Sequence, residues 1–498
     1  MSEDRNSYRN ITKSIGIFGG TKVFQILVGL IRNKIVAVLL GPVGMGIQGM
    51  LLTTVSFVEA FTGLGLHTSA VRDVAKAHAS GDKDRIDTTV SILRKLVVIT
   101  GLLGSLLVLV FASQLSQWSF GNEDYTLSFR LIAIVLFIDQ IVIGHNVLLQ
   151  GTFHYKYMAA ASMWGGVVGL VISAPLYFIW GMEAIVPVII ITSVVNLVIV
   201  IYYSQKVPYD KKQLSWSEFW TGGKVMVTLG LAIAMAGAVG NGKTYLVRAF
   251  ITNYGSLEAV GLYTAGAAFV TQYINVIFQA MGSDYSPRLA AVSDDNKKFI
   301  EVMNRQAILL VTLVAPLVMI FIVFVKQLII ILYSSKFLPI IGMIEWMMAG
   351  MLFRAVSWAM SYSFAAHGES KAFFVNELLS AIYSFTLTIL GYKLLSYDGI
   401  GIGFCLTYVF YTIQAYIITH IRFGFHFNKE TKVKCFPMIA LCFLFIGVLK
   451  AIDDPMIKIL LGFVFTVIVS FISYKLLDQM IGIKSVLEGI KLKFIKKK

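Results

Sequence analysis

About fourteen apolar runs, each near the roughly 20 residues that span a bilayer as a helix, fill this chain of 498 residues. They lie near residues 14–40, 47–71, 90–112, 127–150, 158–180, 184–204, 225–250, 260–282, 307–333, 338–366, 373–396, 400–421, 435–452 and 456–478. Hydrocarbon offers backbone N–H and C=O groups no hydrogen-bond partner, so each run must close its own bonds as a helix. The expected fold class is an all-α polytopic membrane protein. Composition agrees: 57% hydrophobic and 14% charged residues, with a mean hydropathy of +0.77, lie far from a water-soluble domain. The first run is longer than a signal-peptide core and lacks a small-residue cleavage site, so it reads as a retained span.

The net charge of +15 has a topological origin. Basic residues collect in alternate connections: Arg72, Lys76, Lys83, Arg85, Arg94 and Lys95 in one, Lys206, Lys211, Lys212 and Lys224 in another, and Lys496, Lys497 and Lys498 at the end. The opposite side holds only Lys326, Lys336, Lys393, Lys450 and Lys458. By the positive-inside rule both termini are cytoplasmic, and no nucleic-acid partner is implied. Cys405, Cys435 and Cys442 lie in or beside apolar runs without ligand spacing, so no metal site, disulfide framework or cofactor is expected.

The first run carries Lys22, Arg32 and Lys34. At 100° per residue, Ser14, Thr21, Lys22, Gln25, Gly29, Arg32 and Asn33 gather on one side, with Lys34 about 120° from Lys22. A cation near mid-span costs about 2.5–3.5 kcal/mol on insertion scales unless it faces protein or water. These cations either snorkel to headgroups or line a wet cavity suited to an anion. A second basic span favours the cavity. The seventh run places Asn241, Thr244 and Arg248 on one face, with Lys243 about 140° from Arg248. The expected substrate-binding set is Lys22, Gln25, Arg32, Lys34, Asn241, Lys243 and Arg248.

Two acids lie at similar depth. Glu59 shares a helix face with Gln48, Thr62 and Gly63, and Asp139 follows in the fourth run; both are candidates for ion or proton coupling, with helix packing as the alternative. His145 points about 120° from Asp139, so the two do not pair on one helix. Glu345 and Arg354 occupy opposite faces of one run, so their ion pairs must lie with other helices, and Trp346 and Trp358 are either sugar platforms or packing residues. Residues 72–89 read as a solvated connection.

Landmarks recur across the chain. Lys34 and Arg248 lie 214 residues apart, as do Gly41 and Gly255; Lys156 and Lys371 lie 215 apart, and Arg72 and Arg288 216. Two six-helix lobes related by a pseudo-two-fold along the membrane normal account for this spacing. The expected organisation is an N-terminal lobe over 1–204, a cytoplasmic linker over 205–224, a second lobe over 225–425, and an extra helix pair with a basic tail over 426–498. The repeat pairs Lys34 with Arg248, whereas the polar stripe favours Arg32, and both remain candidates. Residues 237–244 (GAVGNGKT) match the P-loop pattern literally, but apolar flanks on both sides exclude a nucleotide-binding loop.

The basic first span running into LLGPVGMGIQGM, echoed by NYGSLEAVGLYTAG at 253–266, resembles the Wzx-type O-antigen and enterobacterial common antigen translocases of the multidrug/oligosaccharidyl-lipid/polysaccharide exporter superfamily. The resemblance covers roughly residues 10–425. It implies alternating access between paired lobes, outward flipping of an undecaprenyl-diphosphate-linked oligosaccharide across the bacterial inner membrane, and no enzymatic activity. It also implies membrane lipids, a polysaccharide polymerase and a chain-length regulator as partners. The extra helix pair is similar to that of the peptidoglycan-precursor flippases of the same superfamily, which stand with cation-coupled multidrug exporters as alternatives. An exporter of cations favours acids in the first and seventh spans, where this chain carries bases.

Overall fold

The computed structural model describes residues 2–482, with side chains from residue 20 onward except at 22, 232, 233, 236, 283 and 481. Sixteen α-helices run in order among them: α1 (Ser2–Leu39), α2 (Gly41–Thr62), α3 (Leu66–Ala79), α4 (Lys83–Val110), α5 (Ala112–Phe120), α6 (Thr126–Gly151), α7 (Tyr155–Trp180), α8 (Ile185–Ser204), α9 (Trp216–Tyr254), α10 (Leu257–Ala290), α11 (Asn296–Val323), α12 (Val325–Leu332), α13 (Ile341–Ala366), α14 (Ser370–Phe423), α15 (Lys429–Lys450) and α16 (Pro455–Ile481). Among the described residues, ten helical stretches are long and apolar enough to cross a membrane. The all-α polytopic class stands. The basic stretch 484–498 lies outside the described residues.

Helix ends follow local chemistry. Asp82 caps α4 by accepting from the backbone N–H of Asp84 and Arg85, and Ser215 with Glu218 forms a reciprocal capping box at the start of α9. Asn428 caps α15, and Asp454 followed by Pro455 starts α16. A straight α14 of 54 residues would run about 81 Å, far beyond a bilayer. Non-helical torsions at Leu395 and Ser396 break it into two segments.

Two expectations need correction. The run at 47–71 is not one span: α2 ends at Thr62, and the chain turns through Leu64 and Gly65, both at positive φ, before α3 begins. Residues 72–89 are not simply a solvated connection, because α3 runs to Ala79 and buries Leu66, Ala70, Val74 and Ala77 against α4, α6 and α9. The P-loop-like residues 237–244 lie inside continuous helix α9, so no loop exists there to cradle phosphate.

The chain divides into two compact units. The first comprises residues 1–265 and 332–337. In it α1 packs on α7, α7 on α8, α4 and α8 on α6, and α9 on α2 and α3. The segment after α8 is strapped to α4: the Asp210 N–H donates to Asp87 Oδ1 at 2.9 Å, the Lys212 N–H to Ser91 Oγ at 3.1 Å, and Lys212 Nζ meets Asp84 at 2.5 Å. The Asp84 hydrogen bond holds the Lys212 ammonium above its ordinary pKa. The repeated motifs also meet here. A Cβ built on Gly46 would strike the Leu257 carbonyl, and one on Gly261 the Pro42 carbonyl, so the starts of α2 and α10 touch backbone to backbone.

The second unit comprises residues 266–331 and 338–498. Its α13 packs on α14, and α11 packs on α13, α15 and α16. Buried Glu345 on α13 accepts Lys450 of α15 at 3.3 Å and Lys458 of α16 at 3.6 Å, so its partners do lie on other helices. Lys450 also sits 4.5 Å above the Trp346 ring. Arg354 faces the Phe278 ring at 4.8 Å, and Trp358 packs with Phe278, Tyr285 and Tyr362, which makes both tryptophans packing residues in this structure.

Gly261→Val should lower the midpoint of thermal unfolding in detergent, by the roughly 1–3 kcal/mol typical of overpacking. Gly237→Ala meets open space on the same measurement and should leave the midpoint unchanged or raise it.

Candidate functional site

The predicted residues with described side chains fall at separate places in the first unit: Arg32 and Arg248 contact α2 or its partners, Lys34 reaches Tyr333, and Glu59 and Asn241 line a cavity. Arg32 is half-buried on α1 and donates to the hydroxyl of Tyr177 on α7, which is 1% exposed. The same hydroxyl accepts from Gln48 Nε2 of α2 at 2.9 Å. No carboxylate pairs with Arg32 among the described residues. Gln25, seven residues earlier on α1, shares its face and is half-buried. The Lys22 side chain lies outside the described residues.

Lys34 points elsewhere, as the helical spacing predicts. Its Nζ donates to the carbonyl of Tyr333 at 2.6 Å. The Tyr333 hydroxyl in turn donates to the Ala265 carbonyl at 3.1 Å, which fixes that segment.

Arg248 on α9 is directed at α2. Its Nη1 donates to the Gly49 carbonyl at 2.6 Å and to Thr53 Oγ1, while Nε is buried without a hydrogen-bond partner. The approach is close: a Cβ on residue 49 would lie 3.4 Å from Nη1 and 3.0 Å from the Thr264 methyl. Gln48 and Gly49 are consecutive, so α2 receives the Arg32 network on one side and Arg248 about 100° around the helix. Lys243 is half-buried on another face of α9.

The cavity, about 560 Å³, is bordered by α2, α3, α6 and α9. Glu59, His67, Gln140, Ser56 and Asn241 supply its polar lining, and none of Arg32, Lys34, Lys243 and Arg248 is among its described lining residues. Gln140 Nε2 donates to Glu59 Oε1 at 3.1 Å, and Thr100 donates to Gln140 Oε1 at 3.3 Å. Asp139 bonds Ser193 on α8 and lies near enough to Glu59 for the two charges to interact. Asn241 reaches the Ser56 carbonyl at 3.5 Å. His145 is tied by a 2.8 Å bond to Ser204, the packing role expected of a lone polar residue.

Residues 35–342 match the family profile described as "Polysaccharide biosynthesis protein". The chain belongs to this family. Within reach of it, the lipid III flippase of Escherichia coli (strain K12) is 22% identical over 376 residues, covering 73% of this chain and 86% of that protein. Two solved structures share the fold. The lipid II flippase MurJ in an inward closed conformation superposes with a TM-score of 0.70 at 13% identity, over 92% of this chain and 98% of that one. An inward-facing multidrug resistance transporter of the MATE family, MOP superfamily, gives 0.69 at 16% identity, over 80% and 94%. This member of the polysaccharide biosynthesis family thus shares the fold of those two membrane proteins.

Sequence reasoning reached Arg32 and Glu59 but missed Tyr177, Gln140 and His67. A pair of adjacent polar residues in an apolar run, Asp139-Gln140, was the available signal for Gln140. Arg248→Lys should reduce thermal stability, because the shorter lysine side chain does not carry its ammonium as far as the Nη1 that donates to both Gly49 and Thr53. The expected loss is about 1–3 kcal/mol in equilibrium unfolding.

Proposed function

We propose that this protein is a flippase that carries a lipid-linked oligosaccharide from the cytoplasmic to the periplasmic leaflet of the bacterial inner membrane. The cargo class is of the lipid III or O-antigen repeat-unit type, carried on undecaprenyl diphosphate. Family membership, the curated relative and the shared fold support it, and one observation carries it at the level of chemistry. Arg32 lies on α1 in an apolar run of the sequence, turned toward Tyr177 and Gln48, with no carboxylate paired to it among the described residues. A guanidinium so placed is a bidentate receptor for phosphate oxygens.

In this reading Arg32, supported by Gln25 and Lys22, meets the diphosphate. Lys34, Lys243 and Arg248 add positive potential, and Arg248 also fastens α9 to α2. The fourteen spans form two six-helix lobes over 1–204 and 225–425, joined by a linker over 205–224 and followed by the helix pair of 426–498, with both termini cytoplasmic. Alternating access exposes the site to each side in turn. Polymerase and chain-length regulator proteins receive the product.

Driving force comes from charge. Outward transfer of each negative charge, with the cell interior negative, gains about 2.3 kcal/mol per 100 mV. Glu59 and Asp139 repel each other in a medium of low dielectric, and a cation drawn between them relieves that repulsion. This favours cation coupling at the Glu59 cavity as a second contribution.

Reconstitution with a fluorescent undecaprenyl-diphosphate oligosaccharide tests the proposal. Arg32→Ala should slow flipping by at least about tenfold, a loss of one charge-assisted contact of 1.5–3 kcal/mol, at unchanged protein yield. Undiminished flipping in Arg32→Ala removes the anion-site reading. Glu59→Gln should preserve potential-driven flipping while abolishing its dependence on an imposed sodium or proton gradient.

A further inference from the structure

A second cavity, this one basic and of about 430 Å³, lies in the other compact unit, between the C-terminal end of α10, the N-terminal half of α11 and the end of α16. Arg288 and Arg305 supply its charge, Gln306 its buried polar wall, and Val302, Leu309 and Met480 its apolar side. None of these residues belongs to the site described above.

The hydrogen bonding at this cavity is incomplete in a way that specifies a ligand. Arg288 Nη2 donates to Gln306 Oε1 at 3.2 Å, which fixes the orientation of the amide. Gln306 is 2% exposed, and its Nε2 is buried with no partner. A buried donor left unmatched costs about 1–3 kcal/mol, so the cavity calls for an acceptor. Arg305 is exposed and forms no ion pair among the described residues. Arg288 is partly neutralised by Asp284 at 3.3 Å, on the exposed side, which leaves the cavity with a net positive charge.

We infer that this cavity binds the phosphate of an anionic phospholipid. Arg288 and Arg305 engage the headgroup, Gln306 donates to a phosphate oxygen, and an acyl chain lies along Val302, Leu309 and Met480. Phosphate satisfies the arginines and the amide donor together, and the apolar side distinguishes a lipid from a free anion. The arrangement joins α16 to α10 and α11 through lipid, and it stands independently of the cargo and of membrane orientation.

Native mass spectrometry of the full-length protein in mild detergent tests this, with phosphatidylglycerol, phosphatidylcholine or inorganic phosphate added. Wild type should retain phosphatidylglycerol in preference to phosphatidylcholine, and inorganic phosphate should not displace it. Arg288→Gln with Arg305→Gln should lower retention by about fivefold per arginine. Arg305→Gln alone breaks no ion pair, so it keeps the fold intact and should show its share of the loss. Equal retention in wild type and Arg305→Gln, no preference over phosphatidylcholine, or full displacement by inorganic phosphate each overturns the lipid site.

Discussion

A guanidinium among apolar helices must be met by something, and for Arg32 and Arg248 this structure supplies neutral acceptors. Arg32 reaches a tyrosine hydroxyl, and Arg248 a carbonyl and a threonine. Carbonyl and hydroxyl dipoles orient a positive charge without cancelling it. A carboxylate partner would have made each pair electrically silent, as Glu345 does for Lys450 and Lys458. The contrast within one chain separates cations that hold helices together from cations that keep their field available to an anion.

Helix α2 is the element on which these contacts converge. Its start interlocks with the start of α10 through Gly46 and Gly261, its middle takes the Arg32 network at Gln48 and Arg248 at Gly49, and its end carries Glu59 into the cavity. Small residues make this possible, because they let backbone carbonyls serve as acceptors where side chains would block the approach. The contacts of two arginines and the acid Glu59 are thereby gathered on one helix. A change in its packing is felt at both.

The all-α polytopic class was legible because bilayer thickness dictates the length of apolar runs, whatever packs around them. Breaks were less so: Leu64 is apolar and Gly65 is ambiguous in a helix, so nothing in the local pattern marked the end of α2. Glu59, Arg32 and Lys34 stood out as charges in apolar surroundings. Tyr177 did not, since a tyrosine in a span reads equally as packing. The acceptor of Arg248 was unreadable in principle, for the carbonyl of Gly49 carries no side-chain signature. The division between the acid-lined cavity and the cations likewise depends on tertiary packing that helical periodicity does not encode.

The central claim is that Arg32 faces an aqueous, anion-accepting environment. The direct measurement is thiol labelling of Arg32→Cys in a chain whose Cys405, Cys435 and Cys442 have been replaced. The account predicts modification by a charged, membrane-impermeant reagent, and protection by undecaprenyl-diphosphate oligosaccharide. Labelling by lipid-soluble reagents alone, untouched by that ligand, would contradict it.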